Sequence, residues 1–285
     1  MSIAKQLTLI FLVSIFFPFP AYATDDAREQ RWAKQVSEFL DYGDTHWLKA
    51  DGREFLGIYT PTTNPSAFIK TKGAVILLHN RGLHPDWPQV VQPLRTQLPS
   101  KGWATLSLQM PVLANYASDE DYVPLFKLVP SRIQAGLDFL SKHNINNVVL
   151  IGHGLGSNMG SYFLAKNSGS RIKGFVGIGM KGKPQTTEYL PLDNVYSLLR
   201  MYVPVLSVYG SKSYLDEFKS MDRLAFALTV YQSNVRSHHS QQIKIKGANN
   251  FFQGHEDELT QAITKWMTKI TTPKQINLTS KSNLK

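Results

Sequence analysis

The chain has 285 residues, of which 42% are hydrophobic and none is cysteine. This length and composition suit one globular domain with a sizeable core that needs no disulfides, and no internal repeat or low-complexity segment stands out. The formal charge of +10 comes with no helix-turn-helix, zinc-finger or base-stacking signature. The lack of such a signature argues against sequence-specific nucleic-acid binding. The dispersed charge either serves solubility alone or provides a weak, salt-sensitive attraction to anionic surfaces.

The first 23 residues are predicted to be a signal peptide. Lys5 provides a positive start, an apolar stretch runs from Leu7 to Phe19, and Ala21-Tyr22-Ala23 is a small-x-small cleavage site. Cleavage near Ala23 would make Thr24 the first mature residue and place the protein in the periplasm or outside the cell. An uncleaved membrane anchor is the alternative, although the apolar run is shorter than the ~20 residues that a membrane span needs.

The rest of the chain alternates between short apolar runs and amphipathic segments, which predicts strands alternating with helices. Asp51-Gly52 between two strand-like runs is a strong hairpin signal. We predict an α/β fold with a mostly parallel, doubly wound sheet, helices on both faces and an N-terminal antiparallel hairpin. Residues 24–270 form its single domain, and residues 271–285 a disordered basic tail. Helices are predicted at 28–40, 90–98, around Ile133, Leu137 and Leu140, at 155–166, 195–201 and 215–228, and at the C-terminus around Leu259, Ile263, Trp266 and Ile270; strands at 45–50, 53–60, up to 79, 103–109, 147–151, 172–178, from 205, and 242–246.

The most informative motif is Gly-His-Gly-Leu-Gly at residues 152–156, placed between a predicted strand and a predicted helix. In hydrolases the pattern G-x-S-x-G forms a tight strand-to-helix turn that projects the nucleophile into the active site. Here the central residue is Gly154, and no serine in the chain has glycine two residues away on both sides. The motif therefore lies in the sequence context of a nucleophile elbow, but its central residue has no side chain that could act as a nucleophile.

Three further segments extend this likeness: residues 74–82, an apolar run ending in His-Asn-Arg-Gly; residues 204–210, a late strand; and Gly247-Ala-Asn-Asn-Phe-Phe252 before the last helix. Together they resemble the α/β-hydrolase superfamily, and His84-Pro-Asp-Trp-Pro88 resembles an uncharacterised exported bacterial branch of it. The resemblance assigns the nucleophile, acid and base positions to Gly154, Ser213 and Asn250. Asp216 is an alternative acid. None of the three residues can perform its expected role, so the triad is predicted to be degenerate.

The polar residues that remain near this sheet edge are candidates for a ligand site. Arg81 could pair with an anion and Trp87 could cover an apolar group. Packing roles are the alternative, above all for His79, His153 and Trp87. Metal binding is a minor possibility, because the spacing of His79 and His84 matches no zinc pattern. The candidate ligand-binding residues are His79, Asn80, Arg81, His84, Asp86, Trp87, His153 and His255.

Two hypotheses about function follow. The first is a non-catalytic envelope protein that binds a small molecule, glycan, lipid or protein partner in the former active-site cleft, without cofactor or metal. The second is an active, esterase-like hydrolase that uses unorthodox residues, such as His255 as a base with water, or Ser157 as nucleophile. Ser157 is the weaker candidate, because its position lies within the predicted helix.

Overall fold

The computed structural model describes residues 25–63, 71–167, 171–182, 185–213, 215–233 and 239–271. The predicted signal peptide, its cleavage site and residues 272–285 lie outside this part, so the predictions for them stay predictions. Residue 271 was assigned to the tail, but it is the last residue of the C-terminal helix.

One eight-stranded sheet organises the described residues, in the order β1-β2-β4-β3-β5-β6-β7-β8. In this order, every pairing from β4 to β8 is parallel. Strand β2 pairs antiparallel with both of its neighbours, β1 and β4. This confirms the predicted architecture. The strands are β1 (Asp44–Ala50), β2 (Arg53–Thr60), β3 (Gly73–Leu78), β4 (Trp103–Leu108), β5 (Val148–His153), β6 (Ile172–Ile178), β7 (Val205–Gly210) and β8 (Gln241–Ile245). The helices are α1 (Asp26–Glu38), α2 (Val91–Gln97), α3 (Val129–Lys142), α4 (Leu155–Lys166), α5 (Asn194–Leu198), α6 (Leu215–Ser233) and α7 (Glu256–Thr271).

The hairpin forms where its turn residues predict it. Asp51 and Gly52 have φ values of 51° and 74°. Positive φ at both central residues is the requirement of a type I′ turn, whose twist matches that of the flanking strands. The turn sets the register Leu48 opposite Phe55. Strand β2 then pairs with β4 and joins the hairpin to the parallel part of the sheet.

The central strands are buried on both faces, which explains their continuous apolar sequences. In β3, Ala74, Ile76 and Leu78 belong to one core cluster together with residues of α3 and α4. Val75 and Leu77 point the other way, into a second cluster with residues of α2 and α7. Helices therefore cover both faces of the sheet. The loops that follow the parallel strands gather at one edge, where ligands of such folds bind.

Several segments differ from the sequence-based prediction: α1 spans Asp26–Glu38 instead of 28–40, and α5 ends at Leu198 instead of 201. Residues Glu120–Leu128 and Thr187–Leu192 form 3-10 helices containing Pro124 and Pro191, in stretches where no element was expected. Helix α6 extends five residues beyond the predicted end at Leu228. Short 3-10 helices have too little periodicity to be recognised in a sequence.

Candidate functional site

The turn between β5 and α4 has the geometry of an elbow centred on Gly154. Gly154 adopts φ 53° and ψ −119°, a backbone conformation that side chains with a Cβ seldom take. The flanking glycines allow close packing. A Cβ on Gly152 would lie 2.4 Å from the carbonyl oxygen of Gly156, and one on Gly156 would lie 2.5 Å from that of Leu78. The sequence thus has glycine at the positions of the turn where a Cβ atom would overlap neighbouring backbone atoms.

The Asn80 side chain occupies the space that the Cβ atom of any side chain at position 154 would need. A Cβ on Gly154 would lie 2.1 Å from Asn80 Oδ1 and 2.3 Å from its Cγ. The same oxygen accepts hydrogen bonds from the backbone N–H groups of Leu155, at 2.8 Å, and Arg81, at 2.7 Å. In α/β-hydrolases the oxyanion hole consists of the N–H after the nucleophile and an N–H from the loop after β3. Leu155 and Arg81 follow the elbow centre and β3, as those two donors do, and here both N–H groups donate to the Asn80 side chain.

His153 lies beneath this turn and is only 3% exposed. Its Nε2 lies 3.0 Å from the carbonyl oxygen of Asn250, so Nε2 carries the proton and donates. Nδ1 is buried and has no hydrogen-bond partner among the described residues. Burial lowers the pKa of His153 to about 4, which keeps the ring neutral at physiological pH.

A cleft of about 310 Å³ opens above the turn. Arg81 and Asp119 form an ion pair of 3.0 Å on its wall, each side chain 40% exposed. Serine, threonine and cysteine are absent from the described residues that line this cleft. The lining comprises Asn80, Arg81, Leu83, Asp119, His153, Gly154, Leu155, Asn158, Gly179, Lys181, Asn250 and Phe251.

The other two positions assigned to the triad follow β7 and β8. Ser213 is buried, and its N–H donates to the carbonyl oxygen of Gly210 at 3.2 Å. Asn250 lines the cleft, where its carbonyl oxygen accepts the His153 hydrogen bond. The alternative acid, Asp216, falls in α6, but its side chain lies outside what the structure describes.

His79 has a packing role in this structure. It is 2% exposed; Nδ1 donates to the carbonyl oxygen of Asn80 at 2.8 Å, and Nε2 accepts the Met110 N–H at 2.9 Å. Burial lowers its pKa to about 3. Both ring nitrogens are therefore engaged, and the ring positions Asn80 through its backbone.

The remaining residues of the loop after β3 point away from the cleft. Asp86 Oδ1 accepts from Arg95 Nε at 2.9 Å and from Nη2 at 2.6 Å, and Arg95 is 1% exposed. His84 lies between the rings of Trp32 and Trp87, with centroid distances of 5.4 and 5.2 Å. In this structure Asp86 forms an ion pair and His84 packs against two indole rings, and none of His84, Asp86 and Trp87 lines the cleft.

The residues of the alternative, catalytic hypothesis lie elsewhere. His255 faces another cleft, between α2 and the start of α7, and its Nδ1 lies 2.7 Å from Glu258 Oε2. Ser157 is fully buried in α4, and its hydroxyl donates to the carbonyl oxygens of Gly152 and Ile178, at 2.7 and 3.2 Å. The structure does not bring a base to this hydroxyl.

The candidate site thus combines three predicted ligand-binding residues, Asn80, Arg81 and His153, with two of the positions assigned to the triad, Gly154 and Asn250. Asp119, Asn158 and Lys181 also line the cleft, but they belong to different segments and no local motif marks them. Among the residues with described positions, no cluster of three or more His, Cys, Asp or Glu side chains could hold a metal ion. A search of the described helices for one long and apolar enough to cross a membrane finds none.

Comparison with known proteins agrees with this architecture. Residues 18–124 match a family described as a protein of unknown function, DUF3530. No curated protein sequence matches the chain significantly.

Solved structures resemble the chain over most of its length. Est1E from Butyrivibrio proteoclasticus is 14% identical, with 80% of this chain and 98% of that chain covered and a TM-score of 0.57. A dienelactone hydrolase from Anabaena variabilis is 16% identical, with 80% and 97% covered and a TM-score of 0.58. An α-β serine hydrolase homologue from Coxiella burnetii is 14% identical, with 80% and 98% covered and a TM-score of 0.54. The protein therefore has the α/β-hydrolase fold.

Proposed function

We propose that the protein is a non-catalytic member of the α/β-hydrolase fold class that binds a ligand in the former active-site cleft. The observation that carries this proposal is the position of Asn80. Its carboxamide fills the space next to Gly154 and accepts both backbone donors that would stabilise an oxyanion. A substrate carbonyl would have to displace this oxygen before any attack.

The other groups of the cleft support the same conclusion. Acyl transfer needs a nucleophile and a base within hydrogen-bond reach of each other. Asn250 has no basic nitrogen at neutral pH. His153 is a neutral acceptor at Nδ1, but it has no hydroxyl or thiol partner among the described residues of the cleft. The cleft retains the shape of a binding site, and its ligand could be a small molecule, a glycan, a lipid or a segment of an envelope protein.

A fluorophosphonate probe tests this proposal, because it reacts with activated serines. We expect no labelling of the purified protein and no hydrolysis of short-chain aryl esters. A related serine hydrolase labelled in parallel confirms that the probe is active. Strong labelling that a single change such as Ser157→Ala abolishes would instead support the esterase-like alternative, which is the activity class named for structural neighbours such as the dienelactone hydrolase.

We also propose that the protein works in the bacterial envelope, on the strength of the sequence of residues 1–23. Cleavage after Ala23 gives a mature chain that starts at Thr24. Intact-mass measurement of protein recovered from an envelope fraction checks this. Membrane-bound protein that retains Met1 to Ala23 would show that the segment is an anchor.

A further inference from the structure

Most hydrogen-bond donors in the cleft are already used by the protein itself. The Leu155 and Arg81 amides donate to Asn80, the Asn158 side-chain amide donates to the carbonyl oxygen of Leu192 at 2.7 Å, and His153 Nε2 donates to Asn250. A neutral carbonyl ligand therefore finds few donors here. Recognition of a polar group depends on the charged side chains of the wall.

These charged side chains favour an anion. Arg81 and Lys181 line the cleft with one carboxylate, Asp119, which pairs with Arg81. Asp121 adds a nearby negative charge, but it is not a lining residue and its carboxylate accepts two hydrogen bonds from Ser118, at 2.7 and 2.9 Å. The N-terminus of the 12-residue helix α4 also points at the cleft floor and adds a partial positive charge. Among the lining residues, two cationic side chains accompany one carboxylate.

Part of the cleft lining is apolar. Phe251 is 40% exposed and stands edge-on to His153, with the ring centroids 5.8 Å apart. Leu83 and Leu155 also line the cleft. Because the neutral His153 ring offers only an acceptor at Nδ1, an acidic group is directed away from it and towards Arg81.

We propose that the cleft binds a small amphipathic anion, a carboxylate or phosphate with a short acyl or aryl group. In the bound state the acidic group replaces Asp119 as the partner of Arg81, in the charge-assisted geometry that guanidinium groups favour. The apolar part packs against Phe251. The volume of about 310 Å³ limits the ligand to a small molecule. This inference rests on the proposed binding function of the same cleft and specifies its ligand class.

A calorimetric titration with 4-phenylbutyrate, phenyl phosphate and the matched neutral 4-phenylbutyramide tests the proposal. We expect an acidic ligand to bind and the amide to bind at least about tenfold more weakly, since a hydrogen bond to a charged group is lost. Arg81→Gln should weaken binding of the acid by a similar factor. Asp119→Asn should strengthen it by roughly two- to fivefold, because it removes the competing carboxylate.

The ion pair between Arg53 and Asp26, of 2.9 Å and about half exposed, provides matched controls outside the cleft. Arg53→Gln and Asp26→Asn should leave the affinity unchanged. Equal binding of acid and amide, no effect of Arg81→Gln, or no binding of any of the three compounds at millimolar concentration would each overturn the proposal. These results are separate from the fluorophosphonate experiment: an unlabelled protein that binds none of the compounds is still non-catalytic.

Discussion

The Asn80 carboxamide lies against Gly154 and accepts hydrogen bonds from the backbone N–H groups of Leu155 and Arg81. Gly154 cannot acquire a side chain unless Asn80 moves, because their atoms would lie 2.1 Å apart. Under the proposed non-catalytic function, the glycine at position 154 and the occupied backbone donors are therefore consequences of one contact. Restoring the three triad positions alone, with Gly154→Ser, Ser213→Asp and Asn250→His, would leave the hole occupied.

A double-mutant cycle between positions 80 and 154 measures this coupling. We expect Gly154→Ser to lower the free energy of unfolding by about 2–4 kcal/mol, through overpacking and positive φ. In the Asn80→Ala background the same change should cost at least about 1 kcal/mol less, because contacting residues are not additive. Urea unfolding of the four proteins provides the values, and additive effects would contradict the contact.

The contact between Asn80 and Gly154 also affects which substitutions could create hydrolase activity in this protein. The fourfold variant Asn80→Ala, Gly154→Ser, Ser213→Asp and Asn250→His should react with a fluorophosphonate faster than the threefold variant that keeps Asn80. The added alanine frees both the space and the donors of the oxyanion hole, and each such donor contributes ~10²-fold or more in serine hydrolases. Equal labelling of the two variants would show that Asn80 does not close the site.

His153 makes the stability of the protein depend on pH. Its pKa is lowered to about 4 in the fold by burial, whereas the unfolded chain titrates near 6.5. Below pH ~6.5 the unfolded state binds more protons, so stability falls as the pH decreases towards 4, by up to about 1.4 kcal/mol per pH unit. His153→Gln should reduce this slope between pH 6.5 and 5. Unfolding at pH 8, where residue 153 is neutral in both states, controls for lost packing.

At the scale of elements, the ion pair between Asp86 and Arg95 fastens the loop after β3 to α2. Arg95 also donates to the Thr60 hydroxyl at 3.3 Å and to the carbonyl oxygen of Tyr42, so one side chain links this loop to β2 and to the segment before β1. A buried guanidinium that loses its carboxylate is left with an uncompensated charge. These contacts of Arg95 stabilise the loop in the position in which the Asn80 side chain contacts Gly154 and Leu155.

Asp86→Asn should therefore lower the free energy of unfolding by about 3 kcal/mol. Asp26→Asn removes the partner of a half-exposed arginine and should cost about 1 kcal/mol or less. Chemical denaturation of both variants compares them directly. A small effect of Asp86→Asn would instead show that Arg95 becomes hydrated in the variant and that the ion pair contributes little to stability.

The sequence predicted elements well where the pattern is local. Helix α4 and strand β6 have the predicted bounds, because a buried strand gives a continuous apolar run and the glycine turn marks the helix start. The roles of Asn80 and Asp86 could not be predicted. Both roles depend on contacts with residues in other elements, Leu155 for Asn80 and Arg95 for Asp86. No short-range sequence pattern indicates which of these segments come together at the edge of the sheet. The predicted residues that line the cleft come from the ends of β3, β5 and β8, and the fold alone brings them together.

At the scale of the whole molecule, positive charge is spread over the chain instead of being concentrated in one run. Without residues 1–23, which hold one lysine and no acid, 30 basic residues face 21 acidic ones, a formal charge of +9. Exposed charges of this kind act together at long range and are screened beyond ~8 Å at physiological ionic strength. We propose that they favour approach to anionic lipids or polymers without selecting a particular partner.

Co-sedimentation with vesicles separates this long-range attraction from recognition in the cleft. We expect the protein to bind phosphatidylglycerol vesicles at low salt, to be released at high salt, and to ignore phosphatidylcholine vesicles, because only the first carry net charge. Arg81→Gln removes one charge of many and should leave this binding nearly unchanged, while it weakens the small anion in the cleft. Binding that resists salt, or that Arg81→Gln abolishes, would contradict a dispersed electrostatic origin and place the lipid headgroup in the cleft instead.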